Sequence, residues 1–458
     1  MRTEIQELNA IANNIAEVAR GLGLDFYPVH FELCPAEAIY TFGAYGMPVR
    51  FTHWSFGKAF YRLKTQYDLN LSRIYELVIN SNPAYAFLLE GNKLIQNKLV
   101  IAHVYAHVDF FKKNRYFAKT PKDMLERMAA HAQQIRDYEL KYGRLKVEQI
   151  LDAALSIQEH IDSRAHVNPK VETNEIELKR PYKVRRKTSG SNYEDLLELD
   201  IENTGQREVQ KSPNEDLLLF LIENSPVLEN WQKDIISMVR TESLYFSPQI
   251  ETKIINEGWA TFWHSKIMRE LDLSQAEVLD AAVMHSQVVQ PSRLTLNPYY
   301  LGYKIWESLA EKEDLEFLFE VREAENDLSF VRNYLNRDLV EKSNLFNFRK
   351  IGAHWQVTET DWTKVRDNLV QSLVNGGHPK INVIEGDYEG KRGLYLKHIH
   401  EGIDLDVVYL EKTLALVQTL WGRLVYLETI LDSKKVIFEC QNGLVTRRHI
   451  LKNNEKEN

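Results

Sequence analysis

Residues 92–113, NKLIQNKLVIAHVYAHVDFFKK, decide how this chain is read. From Leu99 to Phe111 apolar residues occupy most positions, and no polar stripe separates them. A helix that is apolar nearly all round sits inside a larger body, so the segment predicts a buried helix. Two histidines lie within it, His103 and His107. A spacing of four puts two side chains about 40° apart around the helix axis and ~6 Å apart along it. Both imidazoles can then reach one metal ion, which is the geometric basis of the HExxH motif. The alternative is a pair of core histidines bonded to carbonyls, carboxylates or water, because an unsatisfied buried polar group costs about 1–3 kcal/mol.

The second informative stretch is residues 251–271, ETKIINEGWATFWHSKIMREL. Glu257 and His264 stand here among Trp, Phe and Ala. Seven residues is close to two turns, so both share one helix face. Their backbones are still ~10 Å apart along the axis. Glu257 therefore suits a ligand, with His264 nearer a substrate or behind the ligands. Gly258 permits close approach of another helix. The competing reading is a tight helix crossing with one buried Glu paired to a basic side chain.

Taken together, the two stretches predict a zincin-like helical core. His103, His107 and Glu257 would hold Zn²⁺ or another divalent metal and leave one position open for water. Position 104, where HExxH carries its Glu, is Val104, and valine cannot accept a proton. The replacement bases on offer are Glu251, Glu32 and Asp109, with His264 a further catalytic candidate. Asp109 lies ~200° around the helix from His107, which places it behind the shared face. A third cluster, residues 51–58, FTHWSFGK, holds His53 and Lys58 beside Arg50. It suits an anion, or else aromatic packing under a loop. His398 and His400 alternate on an expected strand and read as surface histidines. Walker A, dinucleotide-binding and nucleophile-elbow motifs are absent from the sequence.

Outward from these stretches, the 458 residues suggest two to four domains. Hydrophobic residues at 44% and charged residues at 27% are the balance of a globular protein. A net charge of −8 gives no global attraction to nucleic acid. Two cysteines far apart, Cys34 and Cys440, exclude a disulfide scaffold and point to a reducing, cytoplasmic setting. Apolar runs fall short of the ~18–20 residues of a membrane span, and the N-terminus lacks the pattern of a secretory signal.

The expected architecture is mainly α with a smaller C-terminal α+β domain. Residues 1–162 form one helical half, with 21–48 read as strand or irregular chain. Residues 163–214 are a charged linker or surface excursion carrying the KVRRK cluster. Residues 215–348 form the second helical half. Residues 349–458 switch to alternating strands, KINVIEGDY, RGLYLKHIH and KVIFECQNG, with one helix over Leu410–Leu420.

Five segments carry a family resemblance: residues 24–60, 74–92, 96–114, 251–273 and 288–307. They resemble the SpoVR family, named for stage V sporulation protein R. The resemblance implies a role in the spore cortex, a modified peptidoglycan layer, or in a related stress or stationary-phase envelope process. It further implies a PrkA-type serine kinase and a von Willebrand-like protein as partners. It implies no catalytic residue, so the metal site rests on spacing alone. Two functions follow as expectations: a metal-dependent hydrolase, or a non-catalytic scaffold with a structural metal or a buried His/Glu network.

Overall fold

A computed structural model describes residues 2–68, 76–163, 214–291, 296–351 and 354–449. In chain order the first part runs α1 (Arg2–Gly21), β1 (Val29–Cys34), α2 (Ala36–Tyr45), α3 (Trp54–Asp68), β2 (Glu76–Ile79), β3 (Ala84–Leu89), α4 (Leu94–Lys113), α5 (Met124–Tyr142) and α6 (Arg144–Leu155). The next part is helical: α7 (Leu217–Asn224), α8 (Asn230–Glu251), α9 (Lys253–Glu270), α10 (Gln275–Val288), α11 (Pro298–Ala310), α12 (Leu315–Ala324), α13 (Asp327–Tyr334) and α14 (Arg337–Lys342). The last part is β4 (Asn347–Ile351), β5 (His354–Glu359), α15 (Trp362–Leu373), β6 (Ile381–Tyr388), β7 (Gly393–His398), α16 (Val407–Trp421), β8 (Val425–Leu431), β9 (Lys434–Gln441) and β10 (Leu444–His449). The protein is mainly helical with a C-terminal five-stranded sheet.

Helix α4 is buried on every face from Leu99 to Phe111, as its apolar sequence requires. It packs between α1 and α9 and beneath β3. Its start is fixed by the Lys93 N–H donating to Gln96 Oε1, and its end by the Asn114 amide donating to the Arg322 and Glu325 carbonyls. Beside it lies a three-stranded sheet in the order β1-β3-β2, with β1 parallel and β2 antiparallel to β3.

Helix α9 crosses α11 at two glycines. A Cβ on Gly258 would overlap the Gly302 backbone, and one on Gly302 would overlap the Ile254 carbonyl. The close approach expected at Gly258 is therefore with α11. Asp327, at the start of α13, caps α9 by accepting the Ile254 and Ile255 N–H groups at 2.9 and 2.8 Å.

A second core joins α6, α7 and α8 to the five-stranded sheet, through Ala153, Leu218, Ile236, Leu396, Leu414 and Phe438. Strands β7 and β8 run parallel, joined by the α16 crossover, and the sheet order is β10-β9-β8-β7-β6.

Several local expectations differ from the structure. The run 21–48 holds the expected strand, β1, but also a helix, α2. Helix α8 runs to Glu251 with Pro248 inside it, before a break at Thr252. Helix α15 lies in the segment read as strands with a single helix. Val365 and Val370 belong to the core around α4, so α15 packs there and not on the C-terminal sheet. The KVRRK cluster and almost all of the expected 163–214 excursion lie outside the described residues.

Candidate metal centre

Burying α4 against α9 brings the two sequence motifs face to face. His103 and His107 point their Nε2 atoms at one another, 3.0 Å apart. Glu257 closes the triangle, with Oε2 at 3.6 Å from His103 Nε2 and 3.3 Å from His107 Nε2. Zinc bonds of ~2.0–2.1 Å in tetrahedral geometry place neighbouring ligand atoms about 3.3–3.4 Å apart. The three observed edges scatter around that value. The Glu257 Oε2 atom is buried and receives no hydrogen bond. A buried carboxylate oxygen left bare is costly, and a cation at the centre of the triangle would satisfy it. Among the described residues, this is the group of His, Cys, Asp and Glu side chains whose ligand atoms converge for a metal.

The surroundings orient these side chains. His107 Nδ1 lies 3.0 Å from the Asn256 amide oxygen. That oxygen accepts a proton from Nδ1, which leaves the Nε2 lone pair for an ion. His103 Nδ1 lies 3.0 Å from His264 Nδ1, and His264 Nε2 lies 2.9 Å from His285 Nδ1 on α10. His264 thus stands behind His103, away from the triangle.

Charge follows geometry. Burial alone would raise the Glu257 carboxyl, but the facing His103 and His107 imidazoles overcome it and hold it well below the usual range. Burial disfavours a charge on His107, yet the Glu257 carboxylate outweighs it and raises this imidazole. Burial, then the neighbouring His107, lowers His103. The negative charge of Glu257, then burial, pushes the hydroxyl of the neighbouring Tyr299 well above its ordinary value. Burial pushes Glu76, on β2, up to about 7, with His107 acting against it and Glu257 reinforcing it.

A cavity of about 950 Å³ opens onto the cluster, walled by Glu76, His107, Asn256, Glu257 and Tyr299. Glu76, Tyr299, Asn256 and His285 were not singled out from the sequence. A lone carboxylate in the apolar strand ELVI was the available signal for Glu76.

The other expected site residues fall elsewhere. Asp109 faces away and accepts hydrogen bonds from the Asp25 N–H, Trp259 Nε1 and Arg322 at 2.9, 3.0 and 2.8 Å. It anchors α4 to α9 and α12 and does not reach the cavity. Glu32 is exposed on β1, with β3 between it and β2. Glu251 does line the cavity, though its Oε1 is occupied by the Ser163 and Ser247 hydroxyls. His53 is held by Ser55 and Asp152 at 2.7 and 3.0 Å against Phe56, outside the cavity. Arg50 does reach the cavity wall, but its anion is the protein's own Glu242, 2.6 Å away. His398 is buried, not the surface histidine expected, because it turns inward to bond Thr429; His400 lies beyond the end of β7 and bonds Asp404.

The family described as SpoVR like protein matches residues 2–378, and the SpoVR-like C-terminal domain matches residues 379–432. The chain belongs to the SpoVR family. The division between the two SpoVR matches falls just before β6, the first strand of the five-stranded sheet. The chain is also similar to the Escherichia coli (strain K12) protein named "Uncharacterized protein YcgB". The two are 30% identical over 474 residues, covering 92% of this chain and 91% of that one. No solved structure matches the chain. None of the described helices of this SpoVR protein is long and apolar enough to cross a membrane.

Proposed function

We propose that this SpoVR-family protein is a metal-dependent amide hydrolase with a zincin-like centre. His103, His107 and Glu257 hold the ion, with Zn²⁺ favoured by two imidazoles and one carboxylate. The observation that carries this reading is the bare, buried Oε2 of Glu257 facing two converging Nε2 atoms. A bound Zn²⁺ would supply Lewis acidity, polarising a carbonyl and acidifying water.

The chain's own groups perform the rest. Glu76 replaces the carboxylate that Val104 lacks. It takes a proton from the attacking water as the new C–O bond forms. It then passes that proton to the leaving nitrogen as the C–N bond breaks, giving an amine and a carboxylic acid that keeps the second water proton until it ionises. Tyr299 donates its hydroxyl proton to Glu257 and keeps that carboxylate turned towards the imidazoles. Asn256 fixes His107, and His264 fixes His103.

The process we assign is maturation of the spore cortex or of a related peptidoglycan layer, acting from the cytoplasm on a peptide or amide precursor. This assignment comes from the family. A PrkA-type kinase and a von Willebrand-like protein remain the partners proposed on the same ground.

A second reading is a non-catalytic scaffold. It is favoured by the direct chain His107–His103–His264–His285, which satisfies ring nitrogens within the protein. The test is turnover of an alanine-containing peptidoglycan stem peptide by the zinc-loaded chain, followed as newly released amine. The hydrolase predicts release that falls at least ~100-fold in Glu76→Gln. Release that is absent, or equal in wild type and Glu76→Gln, contradicts it.

A further inference from the structure

The cavity wall contains three consecutive strand residues, Glu76, Leu77 and Val78. Successive side chains of a strand point to opposite faces. A cavity that reaches three in a row is therefore met by both faces of β2 and not by one alone. The sheet order β1-β3-β2 pairs β2 with β3 on one side only, and among the described residues its other edge carries no strand. Gly43, Ala44 and Gly46 line the same cavity and bring no bulk into it. Glu76, the first residue of this edge, lines the same cavity as His107 and Glu257.

We propose that the open edge of β2 binds an extended polypeptide as an added strand, bringing one of its amide carbonyls to the His103–His107–Glu257 cluster. The proposal rests on the metal-hydrolase reading and names its substrate class. Strand N–H and C=O groups repeat along an edge with the spacing of another peptide, ~4.8 Å away. A glycan or nucleotide has no backbone that matches this repeat. Alternate side chains of the bound segment would meet Phe111, Phe246 and Tyr299 on the cavity walls.

The test uses the full zinc-loaded chain and two probes with the same metal-binding head: tri-alanine hydroxamate, which has a peptide backbone, and acetohydroxamate, which has none. The expected result is at least tenfold tighter binding of the tri-alanine probe. N-methylation of its backbone amides should abolish the gain. Hydrogen exchange should slow at residues 76–79 with tri-alanine hydroxamate and not with acetohydroxamate. Equal affinities, or tighter binding without protection at β2, would overturn the proposal and leave the hydrolase reading standing. Failure of both probes to bind a chain that carries zinc means an ion closed to ligands, which overturns both.

Discussion

Gly258 and Gly302 touch backbone to backbone, and this contact sets where Tyr299 stands. Tyr299 lies one turn before Gly302 on α11, and Glu257 immediately precedes Gly258 on α9. Closing the two helices at the glycines brings Tyr299 and Glu257 to the wall of one cavity. Gly302→Ala should therefore force the helices apart, because its Cβ would meet the Ile254 carbonyl. We expect a loss of about 3 kcal/mol or more, at the upper end of overpacking effects, since the obstacle is backbone. Urea unfolding measures it, and an unchanged midpoint would contradict the crossing.

Asp109 is a structural ion, not a catalytic one. Asp109→Ala leaves Arg322 buried without its partner, at a cost of about 3–5 kcal/mol. The folded fraction should still bind metal at the wild-type ratio. Denaturant unfolding together with metal content per folded chain checks both halves of this expectation.

Glu76 gives a pH signature in metal-free protein. Its folded value is raised from 4.5 to about 7, so the folded state holds a proton that the unfolded state releases. The resulting stability is complete below pH ~4.5 and is lost as pH rises through ~7. Glu76→Gln removes this dependence. Its melting temperature relative to wild type should rise between pH 4.5 and 8, measured in chelator-treated samples. A constant difference across that range would show that the Glu76 carboxyl is not raised as described.

The buried character of α4 and the i, i+4 histidine pair were legible because both depend on local spacing. Glu257 was legible as a lone carboxylate among aromatics, and Gly258 as a glycine inside a helix pattern. The strands of residues 380–388, 392–400 and 435–443 showed their alternation directly. Helix α15 was hidden because its apolar positions, Trp362, Val365, Leu369 and Leu373, are spaced among polar residues inside a strand-rich region. Glu76 and Tyr299 reach the site through tertiary contacts across 181 and 42 residues from Glu257, and no local pattern announces such pairs. Glu32 and Asp109 were plausible from composition, but strand order puts one at the far edge and helix phase turns the other away.

The most direct measurement is zinc per chain by elemental analysis, on protein purified without a metal-binding tag. Wild type and Glu76→Gln should each carry one equivalent, whereas His103→Ala and Glu257→Ala should carry almost none while remaining folded. Zinc-free wild type after incubation with excess Zn²⁺, or undiminished zinc in Glu257→Ala, would contradict the account.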